Sequence, residues 1–76
     1  MKTIDSSGLK CPMPLLFLRR GLISAKVGEQ VCLISTDKKS LDDVPKFCEQ
    51  MKHSLVEVTQ KEDCWHFIVE KIEQLQ

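Results

Sequence analysis

No two of the four cysteines, Cys11, Cys32, Cys48 and Cys64, stand in a C-x-x-C pair. That spacing excludes a vicinal dithiol built for disulfide exchange, and without close ligand pairs it argues against a zinc site. No apolar run approaches the roughly 20 residues of a membrane span. The opening "MKTIDSSGLK" lacks the apolar core of a signal peptide, so the expected compartment is the cytoplasm, where thiols stay reduced. The even cysteine count is therefore read as free thiols rather than disulfides. Net charge is missing as well, with 11 Lys/Arg against 11 Asp/Glu. With no basic strand carrying aromatics either, the chain lacks the footprint of direct nucleic-acid binding.

Length bounds what remains. Seventy-six residues predict one domain over 1–76, burying only about 60% of its unfolded surface. Apolar residues at 42% and charged ones at 29% describe a globular protein rather than a disordered one. The charges are unevenly placed. The first 38 residues carry six Lys/Arg against three Asp/Glu, and the rest five against eight.

Periodicity then divides the chain. "KTID" reads as a short strand closed by "SSG". From Met13 to Lys26 the pattern is helical, with Leu15, Leu18, Leu22 and Ala25 on one stripe. Gly21 within it costs about 1 kcal/mol against alanine, so this helix relies on packing. Gly28 suits a left-handed turn after it. "QVCLIS" is a nearly continuous apolar run, as a central strand requires. "TDKKSLDDVPKFCEQMKH" is a second helix with Leu41, Val44, Cys48 and Met51 inward. Ser40 and Asp43 resemble a capping box, and Pro45 places the start either near Ser40 with a tight first turn or near Asp43. "LVEVTQ" and "CWHFIVEKI" form a hairpin across "KED". Val56 and Val58 are expected on one face of the first strand, and Trp65, Phe67 and Val69 on one face of the second. Right-handed crossovers make this βαβαββ order an α/β two-layer sandwich, a four-stranded mixed sheet with two helices on one face.

"GLKCPMPLL", residues 8 to 16, carries the chemistry. The first backbone N–H groups of a helix have no partner within it, so Pro12 and Pro14 mark a rigid helix start rather than a break. Cys11 falls at or beside the N-cap, and Gly8 allows the tight turn before it. The N–H groups of Met13 and Leu15, with Lys10 adjacent, are expected to favour a thiolate. With Met13 and Pro14 where a resolving cysteine would stand, the site has one activated sulfur and little else. Such a group suits accepting and handing on sulfur as a persulfide. A helix that merely opens with Cys-Pro would suit a regulatory or adaptor module without sulfur transfer.

"IDSSGLKCPMPLL" resembles the start of the TusA/SirA family of small sulfur-carrier proteins: an acidic residue, then Gly-Leu-x-Cys-Pro-x-Pro-Leu. "STDKKSLDDVPKFCEQMKHSLVEV" resembles its second signature, with Thr-Asp after the central strand, Asp-hydrophobic-Pro in the second helix and a histidine before the third strand. The likeness covers roughly residues 3 to 71. Lys38 departs from it, following Asp37 where a proline is common. The resemblance implies that Cys11 carries sulfur as a persulfide, without cofactor or metal. It implies a cysteine desulfurase or other sulfurtransferase as donor and a downstream relay protein as acceptor. Its destinations include tRNA 2-thiouridine formation, molybdenum-cofactor pathways and sulfur oxidation. The free carrier is expected to be a monomer that binds neither membrane nor nucleic acid.

Around Cys11, Met13 sits beside the sulfur. Leu16, Phe17 and Ile23 lie more than about 90° round the helix from its inward stripe. Read functionally, Met13, Leu16 and Phe17 form a hydrophobic collar for a partner, with Arg19 and Arg20 as its charged rim. They serve equally as a wider core stripe or as ordinary exposed residues. Asp37, ending the central strand, is expected near the Cys11 helix start, as a loop cap or as a regulator of the sulfur's charge. The other three cysteines read as packed, His53 and His66 as surface or loop residues, and Trp65 and Phe67 as core.

Overall fold

The computed structural model describes residues 2–72. Six elements follow in order: β1 (Lys2–Asp5), α1 (Met13–Ser24), β2 (Gln30–Ser35), α2 (Ser40–Met51), β3 (Ser54–Lys61) and β4 (Cys64–Glu70). The sheet order is β1-β2-β4-β3. β1 pairs parallel with β2, Lys2 opposite Val31, whereas β4 runs antiparallel between β2 and β3. Both helices cover one face, so the architecture is the α/β two-layer sandwich that the element order implies. β1 and β2 therefore end at the same edge of the sheet, and α1 and α2 both begin there.

The core lies between helices and sheet. Leu18, Leu22 and Ala25 of α1 and its cap meet Val31 and Leu33 of β2, Val44 and Cys48 of α2, and Phe67 and Val69 of β4. Trp65 packs against this cluster from its rim, so neither β4 aromatic is free to stack on a base. Phe67 is fully buried, and truncating a side chain of this kind costs about 3–5 kcal/mol. Gly21 faces Ile4, and a Cβ at that position would collide with the Ile4 side chain. The missing side chain lets α1 lie directly on β1, which offsets its low helix propensity. At the far end of α1 the buried Lys71 donates from Nζ to the carbonyls of Ala25 (2.8 Å) and Ile23 (3.4 Å). It thereby satisfies acceptors that the last helical turn leaves open.

Three local expectations change. α2 starts at Ser40 through a tight turn, the first of its two expected starts, in which the N–H groups of Ser40, Leu41 and Asp42 bond three residues back. Its N-cap is Lys39 with no side-chain cap, so Ser40 and Asp43 form no capping box, and Pro45 stands inside the helix. In β3 a register shift between Leu55 and Glu57 breaks the alternation, and Val56 and Val58 are both exposed at the sheet edge. β4 ends at Glu70, short of Ile72. No helix among the described residues is long and apolar enough to cross a membrane.

Candidate functional site

The sheet edge where both helices begin is laced together by short polar side chains. Ser6, fully buried after β1, donates its N–H (2.9 Å) and its hydroxyl (2.6 Å) to the Ile34 carbonyl of β2. Leu9 then closes a turn onto the Ser6 carbonyl. Gly8, at φ 81°, adopts the left-handed conformation that glycine tolerates and donates its N–H to Thr36 Oγ1 (2.8 Å). The loop before α1 is thus strapped to the loop after β2. Asp37 completes the lacing, because Oδ2 accepts the N–H of Cys11 (2.8 Å) and Oδ1 that of Lys39 (3.1 Å). These two backbone donors hold its carboxyl below the usual aspartate range. The N–H of Asp37 in turn reaches Ser35 Oγ (3.2 Å), which shares a 2.7 Å hydrogen bond with Ser40 Oγ.

Cys11 stands one residue before the helix cap. Pro12 is the N-cap, joined to Cys11 by a cis peptide bond, and Pro14 is buried in the first turn. The N–H of Met13 is not offered to the sulfur, since it bonds the Lys10 carbonyl at 2.9 Å. The thiol, half-buried, donates instead to Asp43 Oδ2 at 2.8 Å. The expected thiolate is therefore overturned. Desolvation, followed by the Asp43 carboxylate and the charge of Asp37, pushes the thiol up to about 11, against a smaller opposing effect of the Ser40 hydroxyl. The helix start is real, but the sulfur's hydrogen-bond partner is the Asp43 carboxylate rather than a helix N–H.

The remaining candidates divide by exposure. Met13 and Leu16 are exposed beside Cys11, with Arg19 and Arg20 exposed further along α1. Ile23 is 68% exposed, so it belongs to no core stripe. Phe17 departs from the expected open surface. It is half-buried and, with Lys2, Ile4, Arg20, Gly21 and Ser24, lines a groove of about 370 Å³ over β1. Asp37 lies at the Cys11 helix start, bonded to its backbone.

Asp43, Ser40 and Ser35 were not singled out as site residues from the sequence. Their only signal was the Ser40–Asp43 spacing, read as a helix cap, and the Asp-hydrophobic-Pro signature. All four cysteines are free thiols. Cys32 and Cys48 are buried, and Cys64 bonds the Lys61 carbonyl in the hairpin. His66 lies 3.8 Å from Cys32, and desolvation and Lys71 lower the pKa of His53. Among the described residues no three His, Cys, Asp or Glu side chains group as metal ligands. The arrangement is a half-buried thiol on a rigid edge, with a carboxylate receiving its hydrogen; Cys64, in the hairpin, is half-buried as well.

Residues 2–71 match the family model described as Sulfurtransferase TusA. The chain is 38% identical over 72 residues to a candidate sulfur carrier protein from Archaeoglobus fulgidus, covering 95% of this chain and 99% of that one. Among solved structures it is similar to a SirA-like protein from Desulfitobacterium hafniense. The TM-score is 0.83 and the identity 24%, over 96% of this chain and all of the other, a likeness of fold.

Proposed function

The chain belongs to the TusA sulfurtransferase family of sulfur-carrier proteins, and from that premise we propose that Cys11 is the atom-bearing residue of a sulfur relay. It accepts sulfur as a persulfide from a cysteine desulfurase or another sulfurtransferase. It then passes the sulfur to a downstream acceptor protein, with tRNA 2-thiouridine formation as one destination. In the exchange Cys11 Sγ bonds the outer sulfur of the donor's persulfide and the donor's S–S bond breaks. The donor leaves as a thiol and the hydrogen count is unchanged, so no oxidant or reductant is consumed.

The observation that supports this reading is the isolation of the thiol. Cys11 and, in the hairpin, Cys64 are half-buried, while Cys32 and Cys48 are buried in the sheet and in α2. No second cysteine stands close to Cys11 in the chain, which suits handing sulfur on rather than closing a disulfide. Gly8, Pro12 and Pro14 fix the helix start. Met13, Leu16, Phe17, Arg19 and Arg20 offer the docking surface, and Asp37 holds the backbone of Cys11 in place. The protein acts in the cytoplasm as a free monomer between encounters, with proteins rather than nucleic acid or membrane as its partners.

The test is intact-protein mass spectrometry after incubation with a desulfurase and cysteine. Gain of one sulfur on Cys11, lost in Cys11→Ser with the thermal melt unchanged, is the expected result. A serine variant that still accepts labelled sulfur would move the role to another residue. A second reading, an adaptor module without sulfur transfer, draws support from the protonated resting thiol. No added sulfur on the wild type, with a competent donor, would favour it.

A further inference from the structure

The hydrogen of the Cys11 thiol is directed at one atom, Oδ2 of Asp43, 2.8 Å away. Accepting sulfur requires no carboxylate there, and an anion beside a nucleophilic sulfur opposes its ionisation. We infer that Asp43 is a specificity-determining residue of the sulfur exchange: it keeps the hydrogen on Cys11 in the free carrier, withholding the sulfur from small electrophiles until a partner protein is docked. The inference rests on the carrier reading for the exchange itself, though not for the restraint. Each element around the sulfur contributes a charge or dipole. Asp43 and Ser40 come from α2, and Asp37 from the loop after β2, where Lys39 lies close to it. Lys10 precedes Cys11 in the chain. Asp37 already accepts two backbone N–H groups, so Asp43 is the carboxylate hydrogen-bonded to the sulfur itself. During exchange the S–S bond of the donor breaks as Sγ bonds its outer sulfur. The hydrogen released from Cys11 ends on the departing donor thiolate.

Asp43→Asn tests the inference, because it keeps the shape and replaces an acceptor by an amide able to donate to an ionised sulfur. Iodoacetamide labelling of the Cys11 peptide is followed by mass from about pH 6 to about pH 11, across the ordinary thiol range. The midpoint should fall by about one unit or more, and labelling near neutrality should rise about tenfold or more. Asp42→Asn removes the same charge from the adjacent exposed residue and should leave the profile unchanged. Asp43→Ala provides a second variant should the asparagine variant fail to fold. Labelling that is unchanged or slower in a variant whose melt shows it folded overturns the inference; slower labelling would instead make Asp43 a base. Sulfur loading from a donor protein is measured alongside. A wild type that takes no sulfur refutes the carrier reading, while the labelling profile separately decides the role of Asp43.

Discussion

The Ser35–Ser40 pair joins the end of the central strand to the start of α2 beneath the sulfur site, and its removal can be worked through from the structure. Both hydroxyls are fully buried and share a 2.7 Å bond, and Ser35 Oγ also accepts the N–H of Asp37. Ser35→Ala orphans the Ser40 hydroxyl and the Asp37 N–H together. Each buried polar group without a partner costs about 1–3 kcal/mol, and because Asp37 is only half-buried the expected loss is about 2 kcal/mol. Ser40→Ala orphans less, because Ser35 keeps its bond from Asp37, so about 1 kcal/mol is expected. The double variant leaves only the Asp37 N–H unpartnered and should lose about 1 kcal/mol, short of the sum by about 2 kcal/mol. For a chain of this size 1 kcal/mol corresponds to about 4–8 °C in Tm. Urea denaturation of the four proteins at pH 7 closes the cycle. Strictly additive losses, or single losses under about 0.5 kcal/mol, would refute the account and mean that water replaces the missing hydroxyls.

Two further outcomes follow from a half-buried residue and a buried one. Phe17→Ala, at a half-buried residue outside the core cluster, should lower stability by about 1 kcal/mol and weaken sulfur transfer from a donor protein by roughly 5- to 150-fold. Transfer from a small-molecule persulfide should be spared, and equal losses with both donors would remove Phe17 from the docking surface. Burial pushes the Cys48 thiol up to about 11. A folded pKa above the unfolded one means that its stabilising contribution is whole below about pH 9 and is lost by about 2 kcal/mol as pH rises towards 11. Urea midpoints should therefore fall between about pH 9 and about pH 10.5 less steeply in Cys48→Ala than in wild type. Equal slopes would show that Cys48 does not contribute.

The fold was legible because its signals are local. The apolar run "QVCLIS" suits a central strand, and the stripe Leu15, Leu18, Leu22 and Ala25 has the spacing of a core-facing helix side. Cys11 was legible because two prolines mark a helix start wherever they fall. Its protonation state was not, since that depends on Asp43, 32 residues away, turning its side chain across the sheet edge. Helix-end electrostatics can be read from a motif; a carboxylate brought in by tertiary contact cannot. The same limit explains Phe17. Its angle round α1 suggested open surface, but the angle says nothing of β1, against which Gly21 lets the helix settle. The bulge in β3 likewise depends on pairing with β4 rather than on the alternation of Val56 and Val58.

The place of β4 has a consequence for how the molecule comes into being. β4, the last of the described strands in chain order, is not at an edge; it fills the gap between β2 and β3 and makes the antiparallel ladders on both sides. Just beyond it Lys71 closes the far end of the helix that begins at Cys11. An emerging chain that has reached only β3 has no neighbour for β3, lacks Phe67 and Val69 from its core, and leaves α1 open at its end. Such sequence-distant contacts delay folding until the late segment arrives. During synthesis, then, the Cys11 thiol is set in a finished structure only after β4, the last of the six described elements, has been added. Nascent or truncated chains expose that sulfur without the surroundings that restrain it.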